Sequence, residues 1–221
     1  AWNQAVEEVL DKKLRDTFGD TLRMSLQVFR HSALARLRAA GPIQRKLWEE
    51  GWQVIATECK LERECRGMSI VGKIDRVDFH PDLGFRIIDY KSSDQPEPPE
   101  KIHVGTARED RESIQFEYKN KTRQWTNLQL PLYRWLARTE KRIDPNLPLA
   151  VYYFNLPKSV QNSRLEAWPE EEALAGEAEK CLEAIVELIQ ARQWLPTSKP
   201  TRYDDYQPLL HHGSDWIPAP A

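Results

Sequence analysis

Two aspartates and a lysine stand in a stretch that reads as two strands joined by a short loop. Residues 72–91 have the sequence GKIDRVDFHPDLGFRIIDYK, and the apolar pattern predicts strands over 68–79 and 85–91. If these strands pair antiparallel across an odd-length loop centred on Asp82, Asp75 opposes Asp89. One face then carries four opposed pairs: Phe79 with Phe85, Val77 with Ile87, Asp75 with Asp89, and Lys73 with Lys91.

This arrangement favours phosphodiester chemistry. Two carboxylates placed directly opposite each other destabilise a sheet unless something neutralises them. A divalent cation does so, and Mg²⁺ prefers hard oxygen ligands. Lys91 follows Asp89 by two residues and therefore points to the same face, where it can hold an attacking water or stabilise developing negative charge. These groups suit hydrolysis assisted by Mg²⁺ or Mn²⁺.

The same residues have a purely structural interpretation. Asp75 with Lys91, or Lys73 with Asp89, would form diagonal ion pairs on a solvated sheet face, and such pairs are common. The register is also an assumption, because a two-residue turn would move one carboxylate to the other face.

Three ordered motifs resemble the PD-(D/E)XK nuclease superfamily, and more narrowly its RecB-like and AddB-like exonuclease domains. Those domains carry G-x-x-D-R-x-D, then D-Y-K, then Q-x-x-x-Y. The matching residues here are Gly72, Ile74, Asp75, Arg76, Asp78, Asp89, Tyr90, Lys91, Gln129 and Tyr133. The resemblance implies an α/β, restriction-endonuclease-like core within residues 52–156, with a mixed central β-sheet flanked by α-helices.

The resemblance also implies roles for individual residues. Asp75 and Asp89 would be metal ligands, the Tyr90 carbonyl would complete the protein's share of the metal shell, and Lys91 would be the catalytic lysine. Glu58 resembles a glutamate that such proteins often carry on the preceding strand, where it would be a further metal ligand.

Gln129 and Tyr133 would lie one helical turn apart and face the site, where they would organise water or contact the DNA backbone. An alternative makes Gln129 structural, because Thr126 and Gln129 also fit a capping box. Pro131 complicates both interpretations, because a proline at the fifth helical position would remove a hydrogen bond. The alternative is a helix that starts nearer Leu130. Tyr133 could equally be a core residue.

The chain departs from the family pattern in two ways. Such domains usually begin with a helix whose His or Glu adds a metal ligand, and His31 lacks the glycine that normally precedes it. We expect the ligand-bearing helix to lie upstream of Ala1, with His31 as an ordinary helix residue. Some relatives hold a [4Fe–4S] cluster through four cysteines, whereas this chain has three in all. We therefore expect no iron–sulfur cluster.

Basic residues predict where nucleic acid would lie. The candidates are Lys73, Arg76, Lys119, Lys121 and Arg123, with Trp125 beside the last three as a residue that could stack on a base. A solvated loop explains the run over 119–123 equally well.

The composition of the chain limits which classes of protein it can belong to. The 221 residues are 40% hydrophobic and carry a net charge of −2, which argues against nucleic-acid binding by bulk charge alone. The chain has no run of about 18 apolar residues that could cross a membrane. Three cysteines do not make a disulfide framework, so we expect a reducing, cytoplasmic setting.

We expect one domain over 1–221. Its predicted elements are helices over 1–50 broken near Gly19 and Gly41-Pro42, a strand over 52–61, the two strands above, a loop over 92–124, a helix over 125–138, a strand over 149–156, a long helix over 169–193 and an irregular tail over 194–221.

The sequence thus predicts a Mg²⁺- or Mn²⁺-dependent DNA nuclease. The resemblance adds that it is an exonuclease in DNA repair or recombination, working with a helicase domain or subunit. The alternatives are a catalytically silent module that binds DNA ends or a partner protein, and an interaction domain that docks through its long helix.

Overall fold

A computed structural model describes residues 1–107 and 114–193 of the chain. The helices are α1 (Trp2–Phe18), α2 (Met24–Glu49), α3 (Pro99–His103), α4 (Gln129–Ala137) and α5 (Glu171–Gln190). The strands are β1 (Gln53–Cys65), β2 (Met68–His80), β3 (Gly84–Lys91), β4 (Val104–Thr106), β5 (Gln115–Tyr118), β6 (Lys121–Trp125), β7 (Leu149–Asn155) and β8 (Arg164–Ala167).

The central sheet is mixed, as the sequence predicts. Its strand order is β1-β2-β3-β7-β8, with β3 and β7 parallel and the other pairs antiparallel. The main core lies where α4 and α5 cover this sheet. Ala40 of α2 packs with Ile88 and Phe154 in a second, smaller core. This helix-flanked mixed sheet is the restriction-endonuclease-like architecture that the resemblance implies.

The β2–β3 hairpin has the predicted register. Phe79 pairs with Phe85 and Val77 with Ile87, and the turn places Gly84 at φ 81°, in the left-handed region that glycine adopts easily. The ladder ends at the Arg76–Ile88 pair, so Asp75 and Asp89 lie immediately beyond it. The predicted opposition of Lys73 and Lys91 is wrong, because β2 leaves β3 there and continues against β1.

The predicted helix break at Gly41-Pro42 is also wrong, since α2 runs without interruption from Met24 to Glu49. A proline inside a helix costs about 3 kcal/mol. Gly41 is buried against the Trp2 ring, and the Trp2 indole N–H donates to the Leu37 carbonyl at 3.0 Å. These contacts pack α1 against α2 next to Pro42.

The predicted loop over 92–124 contains regular structure. It holds the short helix α3 and a small sheet of order β4-β6-β5, and residues 108–113 of the predicted loop lie outside the described residues. Lys119 and Asn120 both have positive φ in the β5–β6 turn, as a two-residue hairpin turn requires. Trp125 therefore ends a strand instead of starting a helix, and α4 begins only at Gln129.

The remaining helices and strands agree in part with the elements predicted from the sequence. The long helix is confirmed as α5, with Leu174, Ala178, Leu182 and Val186 on its buried face. Strand β8 was not expected from the sequence, and the tail over 194–221 lies outside the described residues. Within the described ranges, no helix is both long and apolar enough to span a bilayer.

Candidate active site

The site forms where the end of β3 meets the start of α4. Gly72 on β2 allows α4 to approach the sheet, because a Cβ built there would lie 2.4 Å from Cδ1 of Leu136. Leu136 and Leu130 of α4 are almost fully buried against the sheet. This packing brings the first residues of α4 over the carboxylates of β2 and β3.

Asp75 and Asp89 are neighbours, as predicted. The Tyr90 N–H donates to Asp75 Oδ2 at 2.9 Å, which ties the carboxylate of β2 to the backbone of β3. Asp89 is 3% exposed. Burial raises the pKa of its carboxyl, with the charge of Asp75 acting in the same direction and Lys91 opposing it.

Lys91 contacts three different groups. Its Nζ lies 2.8 Å from Asp89 Oδ2 and donates to Gln129 Oε1 at 2.6 Å. It also lies 4.8 Å from the ring centre of Tyr153. The ammonium is therefore held between a carboxylate, an amide oxygen and an aromatic face.

Gln129 joins the site as the resemblance implies. Its Nε2 donates to Asp89 Oδ1 at 3.0 Å and to the Tyr133 hydroxyl oxygen at 3.1 Å. The lysine ammonium can only donate, so the amide oxygen of Gln129 must face Lys91 and its nitrogen must face Asp89. Both charged groups are thus oriented by one amide side chain.

The capping-box alternative for Gln129 is wrong. Gln129 is the first residue of α4, and its own N–H is capped by Asn127 Oδ1 at 2.7 Å. The Thr126 hydroxyl donates instead to the Ile102 carbonyl at 2.7 Å. Pro131 falls at the third helical position, where a backbone N–H has no partner within the helix, so the proline removes no hydrogen bond.

Arg76, a predicted nucleic-acid contact, is engaged within the protein itself. Its side chain is buried, and its guanidinium donates to both oxygens of Asp78 at 2.6 and 2.8 Å. The same group donates to Gln44 of α2 at 2.6 Å and to the Tyr90 hydroxyl at 3.2 Å. Arg86 binds Asp78 from the other side at 2.8 Å. The D-R-x-D motif therefore supplies one metal-ligand candidate and one internal ion cluster.

Glu58 is not gathered into the aspartate pair. Its carboxylate forms an ion pair with Lys73, and both side chains are more than half exposed. No group of three or more His, Cys, Asp or Glu side chains with metal-binding geometry occurs within the described ranges. Glu58 and Lys73 therefore contact each other, whereas the predictions were a metal ion for Glu58 and nucleic acid for Lys73.

The basic run over 119–123 lies on the small sheet. Lys119 pairs with Glu100 at 2.9 Å and with Glu170 at 3.5 Å, whereas Lys121 is exposed. Trp125 is 4% exposed and stacks on Phe116. Its indole face is therefore unavailable for stacking on a base.

Residues outside the motifs complete the surroundings. His103 and Tyr153 are both fully buried next to the site, and sequence reasoning missed them because neither belongs to any of the three motifs. His31 is exposed on α2 and takes no part in the site's hydrogen bonds as far as the structure describes them. Cys65 and Cys181 are buried free thiols, and Cys59 is half-buried.

The aspartate oxygens fit a divalent cation. Asp89 Oδ2 is buried and lies 2.8 Å from the Lys91 ammonium. One Asp75 oxygen is engaged by the Tyr90 N–H. Two carboxylates are a usual protein share for Mg²⁺, which keeps several waters. Asp75 and Asp89 would hold such an ion, and a third ligand from the Tyr90 carbonyl stays a prediction.

Comparison with known proteins points the same way. A family model described as the PD-(D/E)XK nuclease superfamily matches residues 2–205, which is most of the chain. No curated protein matches the chain.

Proposed function

Because the chain belongs to the PD-(D/E)XK nuclease superfamily, whose members are nucleases that use divalent metal ions, we propose that it hydrolyses phosphodiester bonds of DNA at the Asp75–Asp89–Lys91 site. One observation carries the proposal. Lys91 lies 2.8 Å from a buried Asp89 and 2.6 Å from the Gln129 amide that also binds Asp89. A merely solvated sheet face would not bury the aspartate or fix its lysine partner from three sides.

A Mg²⁺ or Mn²⁺ ion held by Asp75 and Asp89 would supply Lewis-acid activation of water and of the phosphate. Lys91 offers an ammonium to the attacking water or to a phosphate oxygen, where negative charge develops. Gln129 keeps this ammonium beside Asp89 by binding both groups at once. The Tyr133 hydroxyl accepts from Gln129, so its own proton is available to a water molecule or to the DNA backbone.

We further propose that the chain is a RecB-like or AddB-like exonuclease that acts in DNA repair or recombination beside a helicase domain or subunit. The three ordered motifs support this subtype. Its test is the choice of substrate: linear DNA should be degraded and a closed circle of the same sequence should resist. Equal cutting of the closed circle would contradict an obligate exonuclease.

A catalytically silent module is the second candidate. It is favoured by Glu58, which pairs with Lys73, so that among residues 1–107 and 114–193 the site gathers the carboxylates of Asp75 and Asp89 without a third. Such a module would bind DNA ends or a partner protein and would show no hydrolysis with either Mg²⁺ or Mn²⁺.

Calorimetry with Mn²⁺ and a cleavage assay on labelled linear DNA separate these candidates. The parent protein should give metal-dependent heat and metal-dependent cleavage, and Asp89→Asn should lose both, because a neutral amide is a poor ligand for a hard cation. Asp82→Asn is the matched control, since Asp82 is exposed in the turn of the same hairpin. Mn²⁺ binding without cleavage would favour the silent module, and the absence of binding would contradict the nuclease proposal.

A further inference from the structure

A buried histidine lies next to the site without touching it. His103 ends α3 and is 0% exposed. Its Nδ1 lies 2.7 Å from the Asn127 carbonyl oxygen, and its Nε2 lies 2.7 Å from the Tyr153 hydroxyl oxygen. The Trp168 ring stacks on the imidazole at 5.0 Å. Both ring nitrogens are therefore engaged, and the ring is held flat between aromatic neighbours.

The partners decide the direction of both hydrogen bonds. Burial lowers the pKa of His103 to about 4, so the imidazole is neutral near pH 7. A carbonyl oxygen can only accept, so Nδ1 donates to Asn127. A neutral imidazole then has Nε2 as its acceptor, and the Tyr153 hydroxyl must donate to it.

One route from His103 to Lys91 runs through the Tyr153 ring. Tyr153 is fully buried on β7 and pairs with Asp89 in the parallel β3–β7 ladder. Its ring lies 4.8 Å from Lys91 Nζ. A phenol that donates its proton to an imidazole gains negative charge on its ring face, which strengthens attraction to a cation.

The second route runs through the start of α4. His103 holds the Asn127 carbonyl, while the Asn127 side chain accepts from the Gln129 N–H at 2.7 Å. The Gln129 side chain in turn accepts from Lys91 Nζ at 2.6 Å. The same imidazole therefore fixes both the ring and the amide that contact the ammonium.

We propose that His103 is a positioning residue that fixes the Lys91 ammonium from two sides, through the Tyr153 ring and through the Asn127–Gln129 start of α4. The proposal rests on the proposed function of Lys91. It assigns His103 no contact with DNA or with the metal ion.

Two substitutions separate the two routes. His103→Asn places an amide nitrogen near the position of Nδ1 and keeps the link to Asn127, whereas His103→Gln places an amide oxygen near Nε2 and keeps the link to Tyr153. Tyr153→Phe removes the hydroxyl and retains the ring. His80→Gln is the control, because His80 binds the Glu50 carbonyl far from the proposed machinery.

The first measurement uses the metal-free protein and needs no activity. In an NMR spectrum, the Lys91 methylene next to the ammonium should be shifted upfield by the Tyr153 ring, and a Lys91→Met variant identifies its signal. This shift should shrink in His103→Asn and persist in His103→Gln and His80→Gln. An unchanged Lys91 signal in a folded His103→Asn variant would overturn the proposal.

The second measurement is DNA cleavage at saturating Mn²⁺. Misplacement of a reacting group by about 1 Å can cost on the order of 10²-fold, so both His103 variants should lose about 10- to 100-fold in kcat with little change in KM or in Mn²⁺ heat. His103→Asn combined with Tyr153→Phe should be no worse than either alone, because both remove one hydrogen bond. Additive losses, or a change in KM alone, would overturn the proposal.

The two proposals fail separately. If the parent protein binds no Mn²⁺ and cuts no DNA, the nuclease proposal fails while the NMR shift still tests whether His103 positions Lys91. If His103→Asn does not fold, Tyr153→Phe tests the first route with the packing intact, and an unchanged Lys91 shift there contradicts that route.

Discussion

Lys91 contacts three groups through three different kinds of interaction: an ion pair, a hydrogen bond and a cation–π contact. Asp89 supplies the counter-charge, Gln129 an acceptor and Tyr153 an aromatic face. Each group limits a different motion of the four-carbon side chain. A lysine held in this way has already lost most of the freedom that a surface lysine would lose when it meets a phosphate.

Lys91→Met should therefore remove catalysis and preserve the fold. Methionine retains the length of the side chain and its contact with the Tyr153 ring but carries no charge. We expect kcat to fall by about 10²- to 10³-fold, as when one group that stabilises transition-state charge is lost, with Mn²⁺ heat retained. Single-turnover cleavage measures the effect, and Lys12→Met on the exposed face of α1 is the control. A loss of less than threefold would contradict the assigned role.

Sequence alone predicts the residues that follow strand periodicity. Asp75, Asp89 and Lys91 alternate along two adjacent strands, so their neighbourhood follows once the register is known. His103 could not be found in this way. It lies in a five-residue helix with no apolar period, and its partner Tyr153 comes from a distant strand.

At the scale of elements, the distance between α4 and the sheet decides whether Gln129 reaches Asp89. Gly72 sets this distance, because any side chain there would displace Leu136. The sequence predicts a helix over 125–138, with a start nearer Leu130 as the alternative that Pro131 suggests, and the structure starts it at Gln129. Trp125 belongs to the β5–β6 hairpin instead. Its ring is buried against Phe116, and this packing favours the strand over an earlier start of the helix.

Gly72→Ala should destabilise the protein and impair the site together. The added methyl group forces a well-packed core to move, which typically costs about 1–3 kcal/mol. The shift of α4 should lower kcat by up to about 100-fold. Urea denaturation and cleavage kinetics measure the two effects. Gly176→Ala on α5, where a Cβ meets nothing within 4 Å, should leave activity unchanged and stabilise the helix by up to about 1 kcal/mol. Equal behaviour of the two variants would contradict this account.

For the whole molecule, the buried imidazole couples folding to pH. The pKa of His103 is about 4 in the folded protein and 6.5 in an ordinary environment. Below about pH 6.5 the unfolded chain gains a proton that the folded chain does not, so the free energy of unfolding should fall as the pH drops towards 4. The full loss is on the order of 3 kcal/mol.

Urea denaturation at pH 7 and at pH 5 tests this prediction. Burial raises the pKa of Asp89 and of Glu171, and those groups act in the opposite sense because the folded state binds their protons more tightly. Comparison with His103→Gln isolates the histidine. The variant should be less stable at pH 7 and should lose less stability on acidification. A parallel decline of both proteins would contradict the assigned neutral state of His103.

The parallel pairing of β3 with β7 determines when the site can assemble as the chain is synthesised. A ribosome releases Asp75, Asp89 and Lys91 before it makes α4, and Tyr153 emerges later still. Parallel contacts between strands so far apart in the chain form late in folding, because the intervening chain must close first. A nascent chain arrested after Glu140 should therefore cut no DNA, and cleavage by that chain would contradict this order of assembly. The topology thus leaves Lys91 without its Gln129 and Tyr153 partners until β7 has been synthesised.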